Sequence, residues 1–159
     1  MKPYALLIAL AASAPTVLSA AATEPVQTVT RAAAQQSFAG PEQYFTGNVR
    51  VDMLFDPNEH NHESGAYVTF QPGARSAWHT HPKGQRLVVT AGSGYTQEWG
   101  KPKQAIGPGD VVWCPPGVKH WHGAAPGSSM THLALTASDE HGKNVEWLEK
   151  VSDAQYHSH

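Results

Sequence analysis

From Asn48 onward, apolar and polar side chains alternate with a period of two. Val49, Val51, Met53 and Phe55 interleave with Arg50 and Asp52, the pattern of a strand with one buried face. Asp56-Pro57-Asn58 ends this run, and residues 58–65 read as a polar loop. Ala66, Val68 and Phe70 resume the alternation up to a Pro72-Gly73 turn. Short runs follow at 76–79, 85–90, 94–99, 110–114, 120–122 and 130–136, separated by turn signals such as Pro82-Lys83-Gly84, Gly107-Pro108-Gly109 and Pro115-Pro116-Gly117. Strands this short and this regularly spaced predict a closed all-β sandwich or barrel. Val145, Trp147 and Val151 allow a last strand, and Ser152-Asp153 is placed to cap a short C-terminal helix. Residues 23–46 carry no sustained periodicity and are expected to form an extended arm broken at Gly40-Pro41. The expected organisation is one domain over 47–159, with its barrel core at about 65–137.

The first 22 residues change the picture. Lys2 precedes an apolar run from Tyr4 to Ala12, and small residues follow as far as Ala22. A positive start, a short apolar centre and a small-residue exit predict a secretory signal peptide cleaved near Ala21 or Ala22. The expected location is therefore outside the cytoplasm, periplasmic or secreted. The run is too short to span a bilayer, which needs about 20 apolar residues.

Composition narrows the chemistry. With 11 Lys+Arg against 13 Asp+Glu in 159 residues, the chain has no basic field to hold nucleic acid or an anionic membrane. The single cysteine excludes an intramolecular disulfide framework and a cysteine-based metal site; Cys114, on an apolar run, is expected to be a buried inert thiol. Ten histidines are the excess that needs an explanation.

Part of that excess falls in two glycine-framed segments. In the first, Gly73 and Gly92 bracket His79, His81 and Gln85; in the second, Gly109 and Gly117 lead to His120. His79 and His81 are two apart, so both point to one face of a strand. Gln85 has the same parity and is expected to return beside them after the Pro-Gly turn, from the next strand. Three imidazoles and an amide oxygen make a site for a divalent first-row metal: Mn(II), Fe(II), Ni(II), Co(II) or Zn(II). His122, two residues beyond His120, and His132, on the alternating face of Met130, Ala134 and Thr136, are expected around that site. A neutral imidazole there suits proton transfer. Ala66, Val68 and Thr136 are small enough to line an opening for a small-molecule substrate. Trp78, Trp113 and Trp121 read as packing residues, His60, His62 and Glu63 as part of a solvated loop, and His157 and His159 as terminal residues without a role.

The two segments resemble the paired motifs of the cupin superfamily, whose β-barrel (jelly roll) fold the chain is then expected to adopt. The first motif of that family usually has a glutamate where this chain has Gln85, and the second often ends in an asparagine where it has Ala124. An amide in place of a carboxylate leaves a bound metal more positive, which favours a Lewis-acid role. A longer string is similar to the bacterial manganese-dependent cupin hydroxynitrile lyases. It comprises His79, His81, Gln85, the run Lys119 to Pro126 and the run Thr131 to Ala134, within a match from about Phe45 to Tyr156. The resemblance implies Mn(II) held by His79, His81, Gln85 and His120. It also implies a small-molecule substrate of the cyanohydrin class such as (R)-mandelonitrile, proton transfer by His122 or His132, and a homo-oligomer. Two other functions fit the same residues: a cupin oxidoreductase such as a dioxygenase, which would consume oxygen, and a non-catalytic exported module binding a small ligand or metal, which would be stabilised by it without turnover.

Overall fold

A computed structural model describes residues 24–158. The signal peptide expected over residues 1–22 lies outside them, as does His159. Thirteen strands carry the described chain: β1 Ser37–Ala39, β2 Phe45–Thr46, β3 Val49–Phe55, β4 Glu63–Phe70, β5 Arg75–Ser76, β6 His79–Thr80, β7 Gln85–Gly92, β8 Gly94–Glu98, β9 Gln104–Ile106, β10 Val111–Cys114, β11 His120–Ala124, β12 Met130–Ala137 and β13 Glu146–Trp147. One short helix, α1, follows at Asp153–His157. Ser152 caps it, accepting from the Gln155 backbone while the Gln155 side chain accepts from the Ser152 backbone, a reciprocal arrangement that satisfies two otherwise free N–H groups.

The strands form two sheets that face each other. One runs β1-β3-β4-β12-β7-β10; the other runs β13-β6-β11-β5-β2, with β8 joined to β11 and β9 to β8. Phe45, Phe70, Val89 and Met130 belong to the buried cluster that joins their inner faces. This is an all-β jelly roll with a short C-terminal helix, the fold class expected from the sequence. A second buried cluster of Trp78, Trp121, Val151 and Tyr156 seats α1. Tyr156 donates to the Ala124 carbonyl at 2.6 Å, and Arg75 reaches the Val151 carbonyl and the Asp153 carboxylate.

Four local expectations change. The segment 23–46, featureless by periodicity, contributes β1, paired to β3 through Phe38↔Val51, and β2, paired to β5. β4 begins at Glu63 rather than Ala66, because Glu63, Ser64 and Gly65 pair with Ala137, Thr136 and Leu135 of β12. Gly65 makes room there for the Phe55 ring, which an added Cβ would meet at 2.4 Å. The last strand is only Glu146–Trp147 and leaves Val145 outside it. Trp113 is not a core residue: it is 50% exposed on β10, with the Arg86 guanidinium 5.1 Å above its ring.

Candidate metal centre

His79 and His120 stand directly opposite each other in the β6–β11 pairing, with ring centroids 4.3 Å apart. His81, just past the end of β6, is 5.1 Å from His79 and 5.5 Å from His120 by centroid. Gln85 does not come from a neighbouring strand. The turn at Pro82-Lys83-Gly84 carries the chain from one sheet to the other, so β6 pairs with β11 and β13 while β7 pairs with β12 and β10. Gln85 therefore meets the histidines from across the barrel. Gly84 permits the crossing: its φ is +80°, and a Cβ would meet the Trp113 ring at 2.5 Å and the Cys114 carbonyl at 2.7 Å.

Each of the three rings is locked by its Nδ1. That atom lies 2.8 Å from the Ala77 carbonyl in His79, 2.6 Å from the Asn144 carbonyl in His81 and 2.9 Å from the Val118 carbonyl in His120. A carbonyl oxygen only accepts, so each Nδ1 carries the proton and each Nε2 is left with a lone pair. Backbone carbonyls behind the rings are the usual device for fixing the tautomer of a metal-ligating histidine. Gln85 is fixed from its other end. Its Nε2 donates to Thr136 Oγ1 at 3.3 Å, which turns Oε1 toward the imidazoles, 3.3 Å from His120 Nε2. Thr136, expected as a pocket-lining residue, thus also orients the amide.

His122 and His132 complete the cluster. His122 follows His120 by two on β11, and β12 brings His132 from the facing sheet. A register shift between Thr131 and His132, where β12 passes Thr90 of β7, keeps His132 opposite the inward-facing Val89. His132 Nε2 lies 3.1 Å from His122 Nδ1, and the Phe70 ring packs against both. The donor atoms of His79, His120 and His122 lie within 4.8 Å of one another, a cluster suited to a divalent metal. His81 is not in that innermost trio, but its buried Nε2 has no hydrogen-bond partner, nor does Nε2 of His122. Buried nitrogen lone pairs without partners are costly, and a cation is the ligand that satisfies several at once. The residues therefore fit a divalent metal.

All five imidazoles are held neutral. Burial pushes His79 and His122 well below the ordinary histidine range, assisted by the neighbouring rings. It brings His120 and His132 down to about 4, and lowers His81 as well. Neutral imidazole is the ligating form. Burial also raises the Cys114 thiol to about 12, with Glu98 adding to it, so this buried cysteine is unsuited to act as a nucleophile.

The cluster forms one end of a cavity of about 340 Å³. Ala66, Val68 and Thr136 line it as expected, together with Met53 and Ala134 from the same sheet. Tyr44, Phe45 and Trp147 line it from the opposite sheet and its approach. The sequence reading missed these three, and also Ser64, whose position in a supposed loop concealed its strand register. For Trp147 the available signal was its place in a short apolar run near the C-terminus. That run predicted a strand without showing its neighbour, His79. No carboxylate lines the cavity among the described residues. His60, exposed beside Glu59, and His157 on α1 take no part.

Residues 66–136 match the cupin domain family. The (R)-mandelonitrile lyase of Granulicella tundricola is 54% identical over 128 residues, which cover 80% of this chain and 97% of that protein. Among solved structures, a cupin-like protein from Thermotoga maritima is similar at a TM-score of 0.68 and 44% identity, over 74% of this chain and 89% of its own. The polyketide cyclase RemF from Streptomyces resistomycificus superposes at a TM-score of 0.64 with 16% identity, over 82% of this chain and 91% of its own, a likeness of fold alone.

Proposed function

The chain belongs to the cupin superfamily, and from that premise we propose that it is a metal-dependent carbon–carbon lyase that cleaves or forms cyanohydrins of the (R)-mandelonitrile type. The high identity to a relative named (R)-mandelonitrile lyase supports the reaction. The observation that carries the mechanism is the contrast in how the imidazoles are tied.

His79, His81 and His120 are each anchored at Nδ1 by a backbone carbonyl, an oxygen that can take no proton away. Those three, with Gln85 Oε1, are assigned as ligands to a divalent ion, most simply Mn(II). When bound there, such an ion supplies Lewis-acid stabilisation of negative charge on the substrate's hydroxyl oxygen. His122 differs because its Nδ1 meets another titratable ring, His132, while its Nε2 has no partner, and the residue belongs to the innermost histidine trio.

His122 Nε2 is therefore assigned as the atom that takes the hydroxyl proton. His132 Nε2 accepts from His122 Nδ1 and steadies the imidazolium that forms. As the C–C bond breaks, the oxygen lone pair becomes the aldehyde carbonyl, the bonding pair leaves with cyanide, and His122 Nε2 returns the proton to give hydrogen cyanide. The burial that depresses the His122 pKa keeps it unprotonated beforehand and makes it a ready donor afterwards. Electron count does not change, so no oxidant enters. The leader peptide pattern supports action outside the cytoplasm on a substrate met there.

The test is cyanide release from mandelonitrile by Mn(II)-loaded protein with oxygen present and with oxygen removed. The proposal expects equal rates and no oxygen uptake. Release that depends on oxygen would replace it with the oxidoreductase reading.

A further inference from the structure

The geometry points to Trp147 as the specificity-determining residue for the substrate's ring, forming with Tyr44 and Phe45 an aromatic seat joined to the metal-binding cluster. This rests on the lyase reading for its reaction but not for its binding chemistry.

Trp147 lies outside the segment that matches the cupin domain family. It arrives at the site because β13 pairs with β6 in a register that sets Trp147 directly against His79. The indole is 4.9 Å from the His79 ring. It also stacks on Tyr44 at 4.7 Å with 15° between planes, and Phe45 meets it edge-on at 5.5 Å. With Tyr44, Phe45 and His79 all packed against it, the indole has little freedom to swing away. The segment that carries it is tied down on both sides: the Asn144 carbonyl holds His81, while the Leu148 amide donates to the Trp78 carbonyl and the Trp78 amide to that of Glu149. Lys119 pairs with Glu149, and Lys150 donates to the Phe45 carbonyl.

The two walls of the cavity differ in kind. The six-stranded sheet offers mainly small or aliphatic groups, Met53, Ala66, Val68 and Ala134, with Phe38 from its edge strand β1, and the opposite side offers three aromatic rings. Aromatic pairs favour offset or edge-on contacts over simple apolar burial. A flat ring entering this space gains contact with both walls, whereas a saturated ring of similar size meets the aromatic wall less well. Because the same indole packs on His79, the seat fixes the distance between a substrate's ring and its polar end.

The experiment compares benzyl alcohol with cyclohexylmethanol as non-reacting ligands of the Mn(II)-loaded protein, by calorimetric titration. Wild type is expected to prefer the aromatic alcohol by about five-fold. Trp147→Phe should keep most of that preference, and Trp147→Leu should lose it while still retaining Mn(II) on dialysis. Tyr44→Leu, which removes the stacking partner, should also weaken the preference and serves if Trp147→Leu does not fold. No preference in wild type, or a full preference in Trp147→Leu, would overturn the seat. Because no turnover is read, absent cyanide release would defeat the lyase reading while leaving this result intact.

Discussion

His132 Nε2 sits 3.1 Å from His122 Nδ1, and the two buried rings form a hydrogen-bonded pair at the cavity wall beside three carbonyl-anchored imidazoles. If His122 moves the proton, His122→Ala should lower cyanide release by about 10²–10⁴-fold while Mn(II) content stays near wild type. His132→Leu should cost less, because it removes the partner but not the base. Metal analysis alongside initial rates separates proton transfer from ligation: loss of Mn(II) in step with activity would make His122 a ligand.

The amide of Gln85 is aimed by Thr136. Thr136→Val keeps the shape but leaves Gln85 Nε2 without its acceptor, and it should weaken Mn(II) binding by about tenfold, read by competition with a chelator. Gln85→Glu should do the reverse for affinity, adding a negative charge to the donor set, and should lower the rate because the metal becomes a weaker Lewis acid.

Five buried neutral histidines make the metal-free protein sensitive to acid. His120 and His132 are held down to about 4 by burial, whereas in the unfolded chain each titrates near 6.5. Above that value neither state binds the protons and the stability is fully present. As pH falls from about 6.5 toward 4, only the unfolded state takes them up, and each such group costs up to about 1.4 kcal/mol per pH unit. Denaturant midpoints of chelator-treated protein should be flat between pH 7 and 8.5 and fall clearly by pH 5.

Cys114 is 5% exposed and its thiol is raised to about 12. A disulfide reagent at pH 8 should leave it unmodified in the native protein and label one thiol per chain in denaturant. Prompt native labelling would show that β10 opens far more readily than its pairing with β7 implies.

The histidine cluster was legible because its members lie in short local patterns. His79 and His81 share a face by strand parity, and His120 and His122 share one on β11. The approach of Gln85 to the imidazoles was legible, but not its origin, since parity cannot tell a hairpin from a turn that crosses between sheets. Trp147 and Tyr44 were invisible as cavity residues because nothing local links them to His79; the β13–β6 pairing brings Trp147, and the Ala77 amide, donating to the Tyr44 carbonyl, brings Tyr44. Trp113 misled because alternation reports which face a side chain takes, not whether that face is covered. β1 was lost in a stretch whose residues are exposed, so no apolar period marked it.

The central claim is that a metal held by the His79, His81, Gln85 and His120 set cleaves a cyanohydrin. Its most direct measurement is cyanide released from mandelonitrile by Mn(II)-loaded wild type and by His79→Ala prepared identically, with bound metal quantified in both. The account predicts rapid release from wild type, and loss of both metal and release in the variant. Equal release from the two proteins, or none from fully loaded wild type, would contradict it.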